Sequence, residues 1–370
     1  MKPGTSSSVA AERALLVQVI LGRQNLAEAA DSLAELERLA DTAGATVVGQ
    51  ITQRRPRPAP GLLIGEGKLA DIQLACREAR ANVVIFDNDL SPMQVNNIDL
   101  ALGIKVIDRT ELILQIFAGR AKSAEAQIQV ELAQLQYLIS RLPTSEKQAR
   151  FKGGIGMKGP GESPLQLRNA PMRRRISELK RKLDTIQERR RTTRTRHQWP
   201  LVSLVGYTNA GKSTLLNAFT DADAYVDDRL FATLDTKTRL VHLMPDRAAL
   251  LADTVGFIRH LPHGLVASFR STLEVTAGSD LLLVVAETSH PHVQDHLAVV
   301  HATLREIGAQ AVPHLLVWNK CDDPAAQSAL PALQAACPGG IPISARTGMG
   351  MDDLRQSIVT AMPRWARDER

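Results

Sequence analysis

An apolar run, LVSLVG, passes directly into GYTNAGKS at Gly206–Ser213, and the helix-compatible TLLNAF follows it. A strand, a glycine-rich turn and a helix in that order belong to an α/β unit with a parallel sheet, and they leave room for few other folds. The turn fits GxxxxGK[ST], and its strand and helix are the context that a P-loop requires. Its glycines let backbone N–H groups turn inward around phosphates, Lys212 would neutralise the β and γ charges, and the Ser213 hydroxyl can ligate Mg²⁺. This loop alone leaves the base undecided.

Three later motifs narrow the ligand. Asp253-Thr-Val-Gly256 closes another apolar strand, LLADTVG, where Asp253 would hold Mg²⁺ through water and the Gly256 amide would meet the γ-phosphate. Asn319-Lys320-Cys321-Asp322 ends the strand LLVWNK. A carboxylate at Asp322 accepts from guanine N1–H and the exocyclic amine together; adenine offers no such pair of donors, and an unpaired buried carboxylate is costly. Ser344-Ala345 follows the strand IPI and supplies backbone N–H groups for the guanine O6. Between the P-loop and Asp253 lies FATLDTKTR, in which Thr233 is the expected switch threonine, with Thr236 and Thr238 as competitors that spacing does not eliminate.

Upstream, Leu15–Ala118 alternates short β-branched runs with helical stretches: LLVQVIL, a helix around 27–43, TVVGQI, a helix around 69–81, VVIFD and KVIDR. This is the rhythm of a second parallel α/β domain. Ser91-Pro92 and Thr110-Glu111 read as helix starts, and RRPRPAP at Arg54–Pro60 as a stiff basic loop. The period then changes. Ile128, Leu132, Leu135, Ile139 and Leu142 are spaced as a heptad seam, and so are Met172, Ile176, Leu179, Leu183 and Ile186. KGGIGMKGPGESP between them continues neither helix, so the seams are expected to fold back as an antiparallel hairpin arm with this loop at its tip. The expected organisation is therefore an N-terminal α/β domain at 1–118, a helical hairpin arm at 119–197 and a P-loop domain at 198–370.

The net charge of +6 is local: Arg141–His197 holds 17 basic and 5 acidic residues. Such a patch seeks a polyanion, because release of condensed counterions drives association. A basic hairpin with a glycine-rich tip suits a phosphate-lined RNA cavity, with Lys152 and Lys158 supplying charge. Three cysteines without metal-ligand spacing imply the cytosol, and no apolar stretch is long enough for a signal sequence or a membrane span. His290, His292 and His296 have no cysteine beside them and are expected to be structural or solvated; Gly65-Glu-Gly67-Lys68 reads as a turn into a helix.

In order and spacing, GYTNAGKST, LFATLD, LADTVGFIRHLPHGLVASF, ELAQLQYLI and KGGIGMKGPGE resemble the HflX family of ribosome-associated GTPases, over all but the first dozen residues. The resemblance implies phosphate binding by Gly206, Asn209, Ala210, Gly211, Lys212, Ser213, Thr214 and Gly256. It implies Mg²⁺ at Ser213, Thr233 and Asp253, and guanine recognition by Asn319, Lys320, Asp322, Ser344 and Ala345. Phe257 stands where many GTPases carry a glutamine, which implies slow intrinsic hydrolysis, and Asn209 matches an asparagine that some relatives use to bind K⁺. Lys152, Gly153, Gly154, Lys158, Gly159, Arg173, Arg174 and Arg175 become the expected RNA contacts on the large ribosomal subunit. The implied activity is GTP hydrolysis coupled to ribosome splitting, recycling or rescue under stress, by a cytoplasmic monomer that binds GTP and GDP and is not inserted in a membrane. The chain departs from the family pattern at GPGESPLQLRNAPMRRR, where acidic residues are absent and Pro164 and Pro171 would delay or kink the second arm helix. It departs again at Glu287, where the family has aspartate, and no extra C-terminal domain is expected. A non-catalytic, nucleotide-sensing RNA-binding module and an ATP-driven RNA remodeller are the competing readings.

Overall fold

The computed structural model describes residues 11–22, 24–141, 164–194, 199–220, 229–259 and 275–362. The chain divides into two compact units, Met1–Gly119 with Gln127–Lys182, and Arg120–Ala126 with Leu183–Arg370. Both contain a sheet, in agreement with the α/β reading.

In the first unit, β1 (Arg13–Leu21), β2 (Thr46–Arg55), β3 (Val83–Phe86) and β4 (Lys105–Asp108) form an all-parallel sheet in the order β2-β1-β3-β4. β1 and β3 lie inside it and are buried along nearly their whole length, which is why they read as unbroken apolar runs. Gln18 is the polar exception in β1; its amide donates to the Ala29 carbonyl at 2.6 Å and to Asp87 at 3.1 Å. Helices α1 (Leu26–Thr42), α2 (Glu66–Glu78), α3 (Pro92–Leu102) and α4 (Arg109–Arg120) complete the alternation.

Ser91 caps α3 as expected, through a reciprocal box with Gln94. Three local expectations are corrected. Helix α2 begins three residues before Leu69, at the turn that Gly65 makes with its N–H on Gln53 Oε1. Helix α4 is capped by Asp108, which accepts from the Glu111 N–H at 3.0 Å, while the Thr110 hydroxyl donates away to Asp89. Arg54 and Arg55 belong to β2 and not to a loop, because parallel pairing with Ile20 and Leu21 carries that strand to its end.

The heptad stretches are helical: α5 spans Ala124–Ser140 and α6 Pro164–Arg194. Arg175 of α6 holds Glu131 of α5 with two bonds, Nε–Oε1 at 2.7 Å and Nη2–Oε2 at 2.9 Å. The expected delay of the second helix is not found: Pro164 starts α6 and Pro171 lies within it. A proline in the first turn has no N–H to lose to the helix, which makes that start easy. At the far end of α5, Tyr137 donates to Asp108 at 2.8 Å, while Arg141 stacks over the Tyr137 ring and bonds to Asp108. The tip loop, with Lys152, Gly153, Gly154, Lys158 and Gly159, lies outside the described residues.

In the second unit, β5 (Leu201–Gly206), β6 (Lys237–Met244), β7 (Arg247–Asp253), β8 (Leu281–Glu287), β9 (His314–Asn319) and β10 (Ile341–Pro342) form one sheet, ordered β10-β9-β8-β5-β7-β6. All neighbours are parallel except β6, which runs antiparallel to β7. Successive residues of a strand face opposite sides. Accordingly Val202, Leu204, Leu281 and Leu283 join one apolar cluster with α7 (Lys212–Thr220) and α10 (Met351–Ala361), whereas Val205, Leu282 and Val284 join another with α8 (Val293–Glu306) and α9 (Pro324–Ala336). After β5 the chain builds β6 and β7 on one side of it and then crosses to β8 on the other, so the turn after β5 opens at a topological switch point, where α/β sheets bind ligands.

Candidate nucleotide site

The turn after β5 is built by close approach. A Cβ on Gly206 would lie 2.2 Å from the Val285 carbonyl oxygen, and one on Gly211, whose φ is +91°, would lie 2.2 Å from Asn319 Nδ2. Glycine at both places lets the P-loop lie against β8 and the Asn319 motif. Lys212 is buried and donates to the Gly206 and Tyr207 carbonyls at 3.1 and 2.8 Å. Burial pushes its ammonium down to about 8, opposed by the charge of Asp253. A phosphate at this position would restore the charge that burial disfavours.

Ser213, Thr233 and Asp253 converge. The Ser213 hydroxyl donates to Asp253 Oδ2 at 2.6 Å, the Thr233 hydroxyl donates to the same oxygen at 2.8 Å, and the two hydroxyls are 2.9 Å apart. Asp253 is fully buried, and its Oδ1 has no hydrogen-bond partner among the described residues. A donor set made wholly of oxygens, with a buried carboxylate oxygen to spare, fits Mg²⁺. Thr238 instead sits in β6 opposite Ala252. Gly256 approaches the same corner, since a Cβ there would lie 2.9 Å from Thr208 Cα and 3.0 Å from Lys212 Nζ. Asn209, with φ +62°, and Thr214 line the pocket beside Lys212 and Ser213.

Asn319 is nearly wholly buried and joins the phosphate loop to the last motif: its amide donates to the Ala210 carbonyl at 2.8 Å and accepts from the Ala345 N–H at 3.0 Å. Asp322 accepts from the Ser344 hydroxyl at 2.8 Å and pairs with Arg346 at 2.6 Å. The Ser344 bond, with Arg346 beside it, holds the Asp322 carboxyl below the usual range, so it is an anion ready to accept. Lys320 pairs with Glu287 at 2.9 Å, so glutamate at that departure still reaches the base motif.

Phe257 does not line the pocket. Its ring packs in the apolar cluster with Val205 and Val284, and its backbone pairs with Gly206 and Thr208. His296 stacks on Tyr207 with ring centroids 3.7 Å apart, a packing role behind the P-loop. Of the arm residues, Arg173 and Arg174 are exposed, whereas Arg175 is engaged by Glu131 and Glu178. Sequence reasoning misses Arg229 and Phe231, which line the phosphate pocket. Their one signal is position: Arg229 stands two residues ahead of FATLDTKTR and Phe231 opens it.

Family models match the chain in succession: a GTP-binding GTPase N-terminal region at 30–118, a GTP-binding GTPase middle region at 120–197 and a 50S ribosome-binding GTPase at 201–320. The chain is 44% identical over 355 residues to GTPase HflX of Caldanaerobacter subterraneus subsp. tengcongensis, a match that covers 94% of this chain and 80% of that protein. The chain belongs to the HflX family of GTPases. GTPase HflX of Escherichia coli is 42% identical over 94% of this chain and 82% of its own length. Among solved structures, the complex of SsGBP with GDP is similar at a TM-score of 0.51 and 25% identity, covering 95% of this chain and 99% of that one. As a member of the HflX family, the chain is a GTPase with a P-loop domain, and the turn after β5 carries the P-loop sequence. Among the described residues no helix is long and apolar enough to cross a membrane.

Proposed function

We propose that this HflX-family chain is an Mg²⁺-dependent GTPase of the cytoplasm that binds the large ribosomal subunit through its arm and couples the nucleotide state to splitting, recycling or rescue of ribosomes. The observation that carries the nucleotide part is the convergence of Ser213, Thr233 and Asp253 beside a buried Lys212. Ser213, Thr233 and Asp253 would hold Mg²⁺, which supplies charge neutralisation to the β- and γ-phosphates. The backbone of Gly206–Thr214 cradles the phosphates and Lys212 neutralises them; the Gly256 N–H meets the γ-phosphate and releases the Thr233 segment when that group leaves. Asp322 selects guanine, within a frame that Asn319, Ser344 and Ala345 hold in place. Water attacks the γ-phosphate. With the Phe257 ring packed in the core, that position offers no side chain to orient the water, which supports slow turnover by the free protein. Asn209, whose backbone takes a left-handed turn at the pocket, is the proposed K⁺ ligand.

The ribosomal part is supported by the exposed Arg173 and Arg174 on a long basic helix, and by the large-subunit name of the family model that matches 201–320. The test is GTP hydrolysis with and without purified large subunits, for the intact chain and for one in which 152–164 is replaced by a short neutral linker. Acceleration that disappears with the linker is expected. Subunits that change nothing while GTP still binds would refute the ribosomal role and leave the GTPase standing.

A further inference from the structure

We propose that Asp235 is a positioning residue that ties closure of the Thr233 segment to the start of helix α5, so that the nucleotide state is felt where the arm begins. Two residues beyond Thr233, the Asp235 carboxylate accepts from the backbone N–H groups of Lys122 at 3.2 Å and Ser123 at 3.1 Å, and from the Ser123 hydroxyl. Ser123 Oγ in turn accepts from the Ala126 N–H at 3.1 Å, capping α5. Arg120–Ala126 and the Thr233 segment lie in the same compact unit.

The carboxylate therefore satisfies the two backbone donors just ahead of α5 and holds Ser123, the residue that caps it, at the helix's positive end. Between the two anchors lies Leu234, which is buried along with Thr233. Two residues of chain span only about 7 Å, so Thr233 has little slack with which to leave Asp253 while Asp235 stays on Ser123. Closing on Asp253 and holding the α5 start are thus one event, and opening the segment frees both. A contact that merely stabilised the fold would be indifferent to the γ-phosphate. This inference rests on the proposed role of Thr233 in the GTP-bound state.

The test uses the full chain with Mg²⁺, and compares affinity for fluorescent GDP with that for a non-hydrolysable GTP analogue. Asp235→Ala is expected to lower the preference for the analogue about tenfold, the order expected for loss of charge-assisted hydrogen bonds, with GDP affinity unchanged. Asp235→Asn, which keeps an acceptor, falls between; Ser123→Ala lowers the preference less and adds nothing in the Asp235→Ala background. Amide exchange at 122–126 is slower with the analogue than with GDP, and Asp235→Ala removes that difference. Equal weakening of both nucleotides, or an unchanged exchange difference, overturns the proposal. Thr233→Ala separates the two failures: if it lowers the preference while Asp235→Ala does not, only the link to α5 is wrong, and if neither does, the switch role of Thr233 falls as well.

Discussion

Asn319 is buried between two groups that have no other use for each other, the Ala210 carbonyl of the phosphate loop and the Ala345 N–H of the last motif. Asn319→Ala removes both bonds and leaves both partners in a region where Ala210 and Ala345 are themselves buried. Each orphaned backbone group costs about 1–3 kcal/mol when it stays dry. Ala210 directly precedes Gly211 of the phosphate pocket and Ala345 directly follows Ser344, which holds Asp322, so losing the strut loosens both halves of the nucleotide site while the sheet beneath stays packed. The loss is thus expected in affinity more than in stability, about 2–4 kcal/mol or roughly 30- to 1000-fold in GDP binding. The same geometry makes Asn319 a strut between the phosphate loop and the last motif, a role that does not depend on the identity of the base. Asp322→Asn replaces an acceptor by a donor and is expected to exchange GDP for xanthosine diphosphate, which carries a carbonyl in place of the exocyclic amine, as the tight ligand. Asn319→Ala placed in that background should then weaken the xanthosine nucleotide by the factor by which it weakens GDP in the parent. Titration calorimetry with both nucleotides on the four proteins, with thermal unfolding as the control for folding, measures every quantity needed. A GDP affinity within about threefold of the parent, less than 1 kcal/mol, or a different factor for the xanthosine nucleotide would refute the argument.

Gly340 has no room for a side chain: a Cβ would lie 2.2 Å from Nε1 of Trp318, which is wholly buried at the end of β9. Gly340→Ala is expected to cost about 1–3 kcal/mol by overpacking, read as a lower urea midpoint at constant slope, and an unchanged midpoint would show that the ring moves freely. Burial pushes the Cys76 and Cys321 thiols up, and the attacking species is the thiolate, so their reactivity is suppressed near neutrality and returns only as pH rises through the elevated values. A thiol reagent at mildly alkaline pH should therefore titrate the half-buried Cys337 quickly and the other two only after denaturant is added; three fast thiols in the native chain would contradict their burial.

How much is legible in the sequence follows the range of the forces involved. LVSLVG, LLLVVA and LLVQVIL lie on interior strands, and burial on both faces writes itself into an apolar run broken only by Ser203 and Gln18. The glycines of the P-loop are equally plain, because the chain has no other residue that permits such close approach. KTRLVHLM gives no such signal. It is an edge strand, antiparallel and half exposed, and its sequence carries only the faint alternation that one covered face demands. Local capping misleads at Thr110 because two oxygens, two residues apart, compete for one role, and the neighbours Asp89 and Glu111 decide between them.

The sequence by itself determined which residue types bear the chemistry and in what order: a phosphate loop, a magnesium-type carboxylate, a guanine-type carboxylate, and a basic pair of heptad helices. Only the tertiary structure decided which of three threonines meets Asp253, since pairing with β7 draws Thr238 into a strand and leaves Thr233 on the pocket. It also decided that Asp235, an inconspicuous residue in the same segment, meets the start of a helix more than a hundred positions away in the chain. Spacing along the chain records what a residue can do, but its partner is chosen by the packing of elements that are distant in sequence, and that choice is written in no single stretch of it.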